Sequence, residues 1–202
     1  MYALVEDGSI SKLITNPKSM IIGDVRYPAK IFQLWSTSEL NAIGIYEVVF
    51  NNSNFKDEKW YINTNQSFAF ADGAVTASYG TATAKAHADT LWTAQDETDG
   101  KGTEGEVATR GLKYNLIQTL KSQVAGILSD TDWYITRNAE KTTAIPSNIS
   151  THRDAVRTKQ AEMETAITNA SDTPALETLY TYTEQDDGSV TRPLGELPTL
   201  EI

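Results

Sequence analysis

The hydrophobic pattern of this 202-residue chain changes period part-way along, and that change restricts the fold more than any single motif does. Before residue 80 the apolar side chains fall in short strand-like runs; beyond residue 106 they recur at three- and four-residue intervals. Period two is the pleat of a half-buried strand, and period 3.6 is the stripe of an amphipathic helix. The expected class is therefore α+β: a β-rich N-terminal domain followed by an α-helical hairpin and an extended C-terminal tail. The expected boundaries are 1–80 for the β-rich domain, 81–105 for a helix and acidic linker, 106–170 for the hairpin domain and 171–202 for the tail.

Local signals fill in this outline. Asp7-Gly8 between Tyr2–Glu6 and Ser9–Ile14, and Asp72-Gly73 between Gln66–Ala71 and Ala74–Tyr79, are primed-turn hairpin signals. Phe68 and Phe70 share one face of the second hairpin. Ser36-Thr37-Ser38-Glu39 matches a capping box, with a short helix through Leu40 and Ile43 ended by Gly44, then a strand over Ile45–Phe50. A further strand is expected over Glu58–Asn63. Alanine-rich Ala82–Thr93 predicts a helix around Leu91 and Trp92. Gln95–Glu106 sets Asp96, Glu97, Asp99, Glu104 and Glu106 against Lys101 and reads as a mobile linker. Thr103-x-x-Glu106 looks like a second capping box. It would open a helix carrying Leu112, Leu116, Leu120, Val124, Ile127 and Leu128 on one face, ended by Asp130-Thr131-Asp132. Another helix, from about Ser150 to Asn169, presents Val156, Met163 and Ile167; Asp172-Thr173-Pro174 stops it.

Composition narrows the chemistry. Seventeen Lys and Arg against 27 Asp and Glu give a net charge of −10, which disfavours phosphate backbones and predicts no nucleic-acid partner. With no cysteine, disulfides, thiolate nucleophiles and Cys-ligated metals are excluded, and two histidines suit few metal or acid–base sites. His152 and Asp154 are close neighbours that do not form a catalytic pair, and no serine-elbow, zinc-helix or phosphate-loop motif occurs; Gly100-Lys101-Gly102-Thr103 lacks the strand and glycine spacing of a P-loop. No catalytic, cofactor or metal residue is assigned, and the chain is expected not to be an enzyme. No run reaches the roughly 20 apolar residues that cross a bilayer, so no membrane insertion is expected.

One constellation points further. Asp132-Trp133-Tyr134-Ile135-Thr136-Arg137-Asn138-Ala139-Glu140 is followed by Ala144-Ile145-Pro146 and then by His152-Arg153-x-x-Val156-Arg157. Upstream stand Tyr2-Ala3-Leu4-Val5-x-Asp7-Gly8, Tyr27-Pro28, Glu39-Leu40-x-x-x-Gly44-Ile45-Tyr46-x-Val48 and Phe70-x-Asp72-Gly73-x-Val75-Thr76. In this order the pieces resemble tailed-bacteriophage tail proteins of the tail assembly chaperone or tail-fibre assembly type, over roughly residues 1 to 170. His152 stands where those proteins usually have tyrosine, and the acidic segment and the tail beyond Leu179 lie outside the match.

The resemblance implies a protein made in the host bacterial cytoplasm that works in the phage tail, with other tail or fibre subunits, or copies of itself, as partners. Two roles follow: a structural virion component, or an assembly chaperone absent from the mature particle. The expected partner-contact residues are Trp133, Arg137, Arg153, Arg157, Tyr180, Tyr182, Leu197 and Leu200. Arg153 and Arg157, four apart, share a helix face and would clamp Asp132, Glu140 or a partner's carboxylates; the alternative is an intramolecular ion pair. Trp133 follows a helix end, where a large aromatic most often closes the core, an exposed anchor being the alternative. The tail, with Pro193 and Pro198, is expected as an arm laid on another subunit.

Overall fold

Both Asp-Gly pairs turn as expected in the computed structural model, which describes residues 1–200. Asp7 and Asp72 each adopt φ +50° and the following glycines +74°, the left-handed pair that a two-residue hairpin requires. They join β1 (Tyr2–Glu6) to β2 (Ser9–Ile14), and, later in the chain, Ser67–Ala71 to Ala74–Ser78. Between them run β3 (Met20–Ile22), β4 (Val25–Tyr27), α1 (Ile31–Leu34), α2 (Thr37–Ala42), β5 (Ile45–Asn51) and β6 (Tyr61–Ile62) before β7 (Ser67–Ala71) and β8 (Ala74–Ser78). The capping box forms: Glu39 donates its backbone N–H to Ser36 Oγ while its carboxylate accepts from the Ser36 N–H at 2.7 Å.

The chain is α+β and divides into two compact units, Met1–Thr83 and a second from Ala84 onward. In the first, one sheet has the order β2-β1-β5-β8-β7. β1 is antiparallel to β2 and β5, β5 runs parallel to β8 with Val48 opposite Val75, and β7 is antiparallel to β8. The sheet curls enough to bring its edge strands β2 and β7 near each other. The period-two pleat sends Leu4 and Ile45 to one face, where they pack with Ile14, Ile31, Phe32 and Leu40. It sends Ala3 and Val48 to the other, with Val75, Ala77, Phe68 and Phe70. Burying each Leu, Ile or Phe contributes about 1.5–3 kcal/mol.

The second unit begins with the end of β9 (Thr83–Ala84) and continues through β10 (Thr90–Leu91), α3 (Ala94–Thr98), β11 (Val107–Thr109), α4 (Leu112–Ser129), α5 (Asp132–Lys141), α6 (Ser147–Asn169), α7 (Thr173–Tyr180), β12 (Thr183–Glu184) and β13 (Val190–Thr191). α4 and α6 pack along the expected seam, with Leu120, Val124, Val156, Met163 and Ile167 buried.

Four expectations fail here. Ala82–Thr93 is not a helix, because Thr90 and Leu91 pair with Thr109 and Val107 across a hairpin. Gln95–Glu106 is not a loose linker. Thr93 and Asp96 form a capping box, Lys101 bridges Asp96 and Asp99 at 3.0 and 3.1 Å, and Trp92 exchanges backbone bonds with Gly105 and Glu106. Thr103 and Glu106 make a turn and not a helix start. α4 starts at Leu112 because Leu112 and Lys113 donate their N–H groups to the carbonyls of Ala86 and His87. Only a glycine at position 111 allows that approach, since a Cβ there would collide with the Ala88 backbone. Residues 132–146 and 171–180, read as connection and tail, contain the helices α5 and α7; Asp172 caps α7 by accepting from the Ala175 N–H at 2.8 Å. Among the described residues no helix is long and apolar enough to cross a membrane.

Candidate functional site

The expected contact residues separate into an anchor, an exposed face and a folded-back tail. The anchor is Arg153. From α6 it donates to the Leu128 carbonyl at 2.7 Å and to Thr131 Oγ1 at 2.6 Å through one terminal nitrogen, and to Asp132 Oδ1 at 2.8 Å through the other. The last carbonyls of a helix lack partners within it, so this guanidinium satisfies the end of α4 while fixing the first residue of α5. Arg153 is buried, and both of its terminal nitrogens donate within the chain. Of the carboxylates expected for it, Arg153 takes Asp132 within its own chain, as a buried bond and not a surface ion pair. Arg157, one turn on, is half-exposed with Asp154 at 3.7 Å.

The exposed face lies on α5. Trp133 keeps 51% of its surface open, which overturns its expected place in the core. Its ring meets that of Tyr134 with centroids 3.8 Å apart, and the Arg137 guanidinium sits 4.6 Å from the Trp133 centroid and 5.3 Å from that of Tyr134. Trp133 and Arg137 are four apart, the spacing that brings helix side chains together. Arg137 Nε is shut off from solvent and has no hydrogen-bond partner among the described residues, an arrangement that costs about 1–3 kcal/mol. Ile135 on the same helix is also exposed. Core packing missed this face because α5 falls outside the α4–α6 seam.

Part of the tail packs on its own unit. Leu194 is buried and donates its N–H to the Leu179 carbonyl at 3.0 Å. Leu197 and Leu200 are partly covered, and Pro198, Thr199 and Leu200 border a hollow of about 370 Å³ against Ser147–Ala155 of α6. Tyr180 and Tyr182 come together through a residue the sequence reading did not single out: Arg192 lies 5.4 and 5.1 Å from their ring centroids. Its guanidinium makes a two-pronged bond to Glu196, at 2.7 and 2.8 Å, and Tyr182 donates its hydroxyl to Glu196 at 2.7 Å. The bond to the Glu196 carboxylate pushes the Tyr182 phenol above its ordinary value, and burial does the same to Tyr180. The stabilisation that Tyr182 gains is present at neutral pH and is lost as alkaline pH deprotonates it.

Comparison of the chain with protein-family models, with curated proteins and with solved structures finds no match.

Proposed function

We propose that this chain is a non-enzymatic bacteriophage tail protein, a structural component of the tail or tail-fibre region of the virion that binds neighbouring tail subunits through the outer face of α5. The observation that supports this reading most directly is the exposed Trp133–Tyr134–Arg137 stack, held on a helix whose first residue Arg153 pins in place. Trp, Tyr and Arg are the residue types that dominate binding energy at protein interfaces. A pre-ordered aromatic anchor loses little conformational freedom on docking. A small rearrangement of Arg137 against a partner's acceptor would also relieve its unpaired Nε. The order of the Asp132–Glu140, Ile145-Pro146 and Arg153–Arg157 pieces supports the phage assignment.

Mass spectrometry of purified particles tests it: a stoichiometric amount of this chain is expected. Its absence from particles, with the protein present in infected cells, would replace the structural role by that of an assembly chaperone. Trp133→Ala is expected to leave the isolated protein folded and to lower its incorporation at least about tenfold, as loss of an interface anchor does.

A further inference from the structure

Charge is distributed unevenly along this chain. Residues 1–83 carry six Lys and Arg against eight Asp and Glu, whereas the remainder carries eleven against nineteen. Three of the six early cations, Lys12, Lys18 and Lys30, line two hollows of about 310 and 410 Å³ that share Asn16 as a common wall. No acidic side chain lines either hollow, and none of the three lysines has an ion pair among the described residues. Phe32, packed on Tyr2 with centroids 5.0 Å apart, gives this surface an apolar floor. In a chain of net charge −10 it is a local concentration of unneutralised positive charge.

The acidic hairpin over 93–106 is the counterpart. Asp96 and Asp99 are used internally, by Thr93 and Lys101, to hold the turn. Glu97, Glu104 and Glu106 remain exposed and have no cation partner among the described residues. The hairpin is stiff: Glu104 donates its N–H to Glu97 Oε2 at 3.1 Å, Trp92 is tied to Gly105 and Glu106, and Gly102 lies so close to the indole that a Cβ would collide with it. An ordered polar loop of this length, with little apolar surface of its own, is typical of segments kept for recognition.

We propose that the acidic hairpin of one copy docks in the lysine-lined groove of another, so that the chain associates head to tail. The inference rests on the reading of this protein as a subunit-binding component and names the subunit as a second copy. Three carboxylates without a cation partner meet three ammonium groups without an anion partner, and because the hairpin is pre-ordered little entropy is lost. Such a contact is heterologous, and it closes to a ring or extends as a filament according to the rotation between copies. It forms quickly and weakens with salt.

Sedimentation velocity of the full chain from about 1 to about 200 µM, the span of weak protein contacts, tests the contact. Concentration-dependent association is expected, weakening about tenfold as ionic strength rises from about 0.05 to about 0.3 M. The charge-reversed triples K12E/K18E/K30E and E97K/E104K/E106K, all at exposed positions, are each expected to be folded by circular dichroism and monomeric alone. Mixed together they should associate again, since each reversed surface then faces its complement. If a reversal prevents folding, the neutral Lys→Gln and Glu→Gln triples replace it, with at least about tenfold weaker association expected. A wild-type chain that stays monomeric throughout, or a mixture of triples that does not associate, overturns the inference. Particle composition is read separately and still decides the broader functional reading.

Discussion

Arg153 and Arg157 show how far one helical turn separates two apparently equivalent side chains. Residues four apart are offset by about 40° around a helix axis, enough at the margin of an apolar stripe to put one inside and the other out. Arg153→Ala would strand the Leu128 carbonyl, Thr131 and Asp132 together, so a loss of about 3 kcal/mol in urea unfolding is expected. Arg157→Ala should stay within about 0.5 kcal/mol, as exposed ion pairs do. Equal losses for the two would remove the anchoring role. The i,i+4 spacing of Trp133 and Arg137 was legible in the sequence, and their stacking follows from it. That the stack faces outward was not, because a tryptophan near a helix end carries no mark of which neighbour covers it.

At the scale of elements, the seam between α4 and α6 was readable from period 3.6 alone, and Leu120 and Val124 are buried where the pattern put them. Leu120→Asp would bury an unpaired charge and is expected to abolish cooperative unfolding or lower the melting temperature drastically; a variant that melts like wild type would refute the seam. The start of α4 lies later than the Thr103–Glu106 pattern suggests. Its first N–H groups are satisfied by carbonyls of residues 86 and 87, some 25 positions away, and not by a local capping box. The acidic hairpin departs from its pattern for the opposite reason: its composition suggests mobility, yet its charges hold it closed. Hydrogen bonds from Thr93, with those from Lys101, hold the Asp96 carboxyl down at about 2, against an ordinary value of 3.8. A depressed carboxyl stabilises the folded form above its unfolded value, so this contribution is intact above about pH 4 and fades as pH falls from 3.8 towards 2. The protection factor of the Gly105 amide, its exchange relative to an unprotected amide at the same pH, should fall over that window in wild type, and Asp96→Asn should have lowered it already at pH 7. A protection factor that ignores both pH and substitution would show the carboxylate to be incidental.

For the molecule as a whole, the folded-back tail and the ordered hairpin change where the chain is expected to be vulnerable. Limited proteolysis should cut first within 185–189, an exposed loop between two-residue strands, and should spare 95–106. First cleavage in the acidic hairpin would restore the mobile-linker reading. A fragment beginning at Ala84 should keep the helical circular dichroism of α4–α7, since its hydrogen bonds reach from Lys85 to Thr173 within one unit. A fragment without that signal would show that the second unit depends on the first.

The sequence by itself determined what lies within about four residues: the two Asp-Gly turns, the Ser36–Glu39 cap, the pleat of β1 and the α4–α6 stripe. In these the partners are neighbours in the chain, so residue type and spacing almost suffice. Only the tertiary structure decided that β5 runs parallel to β8, that Gly111 admits residue 88 at the head of α4, that the tail returns to α6, and that Arg153 rather than Arg157 is buried. Each of those joins groups about 20 to 50 residues apart, where the position of a donor or a void is set by how whole elements pack, and no local pattern of residues encodes it.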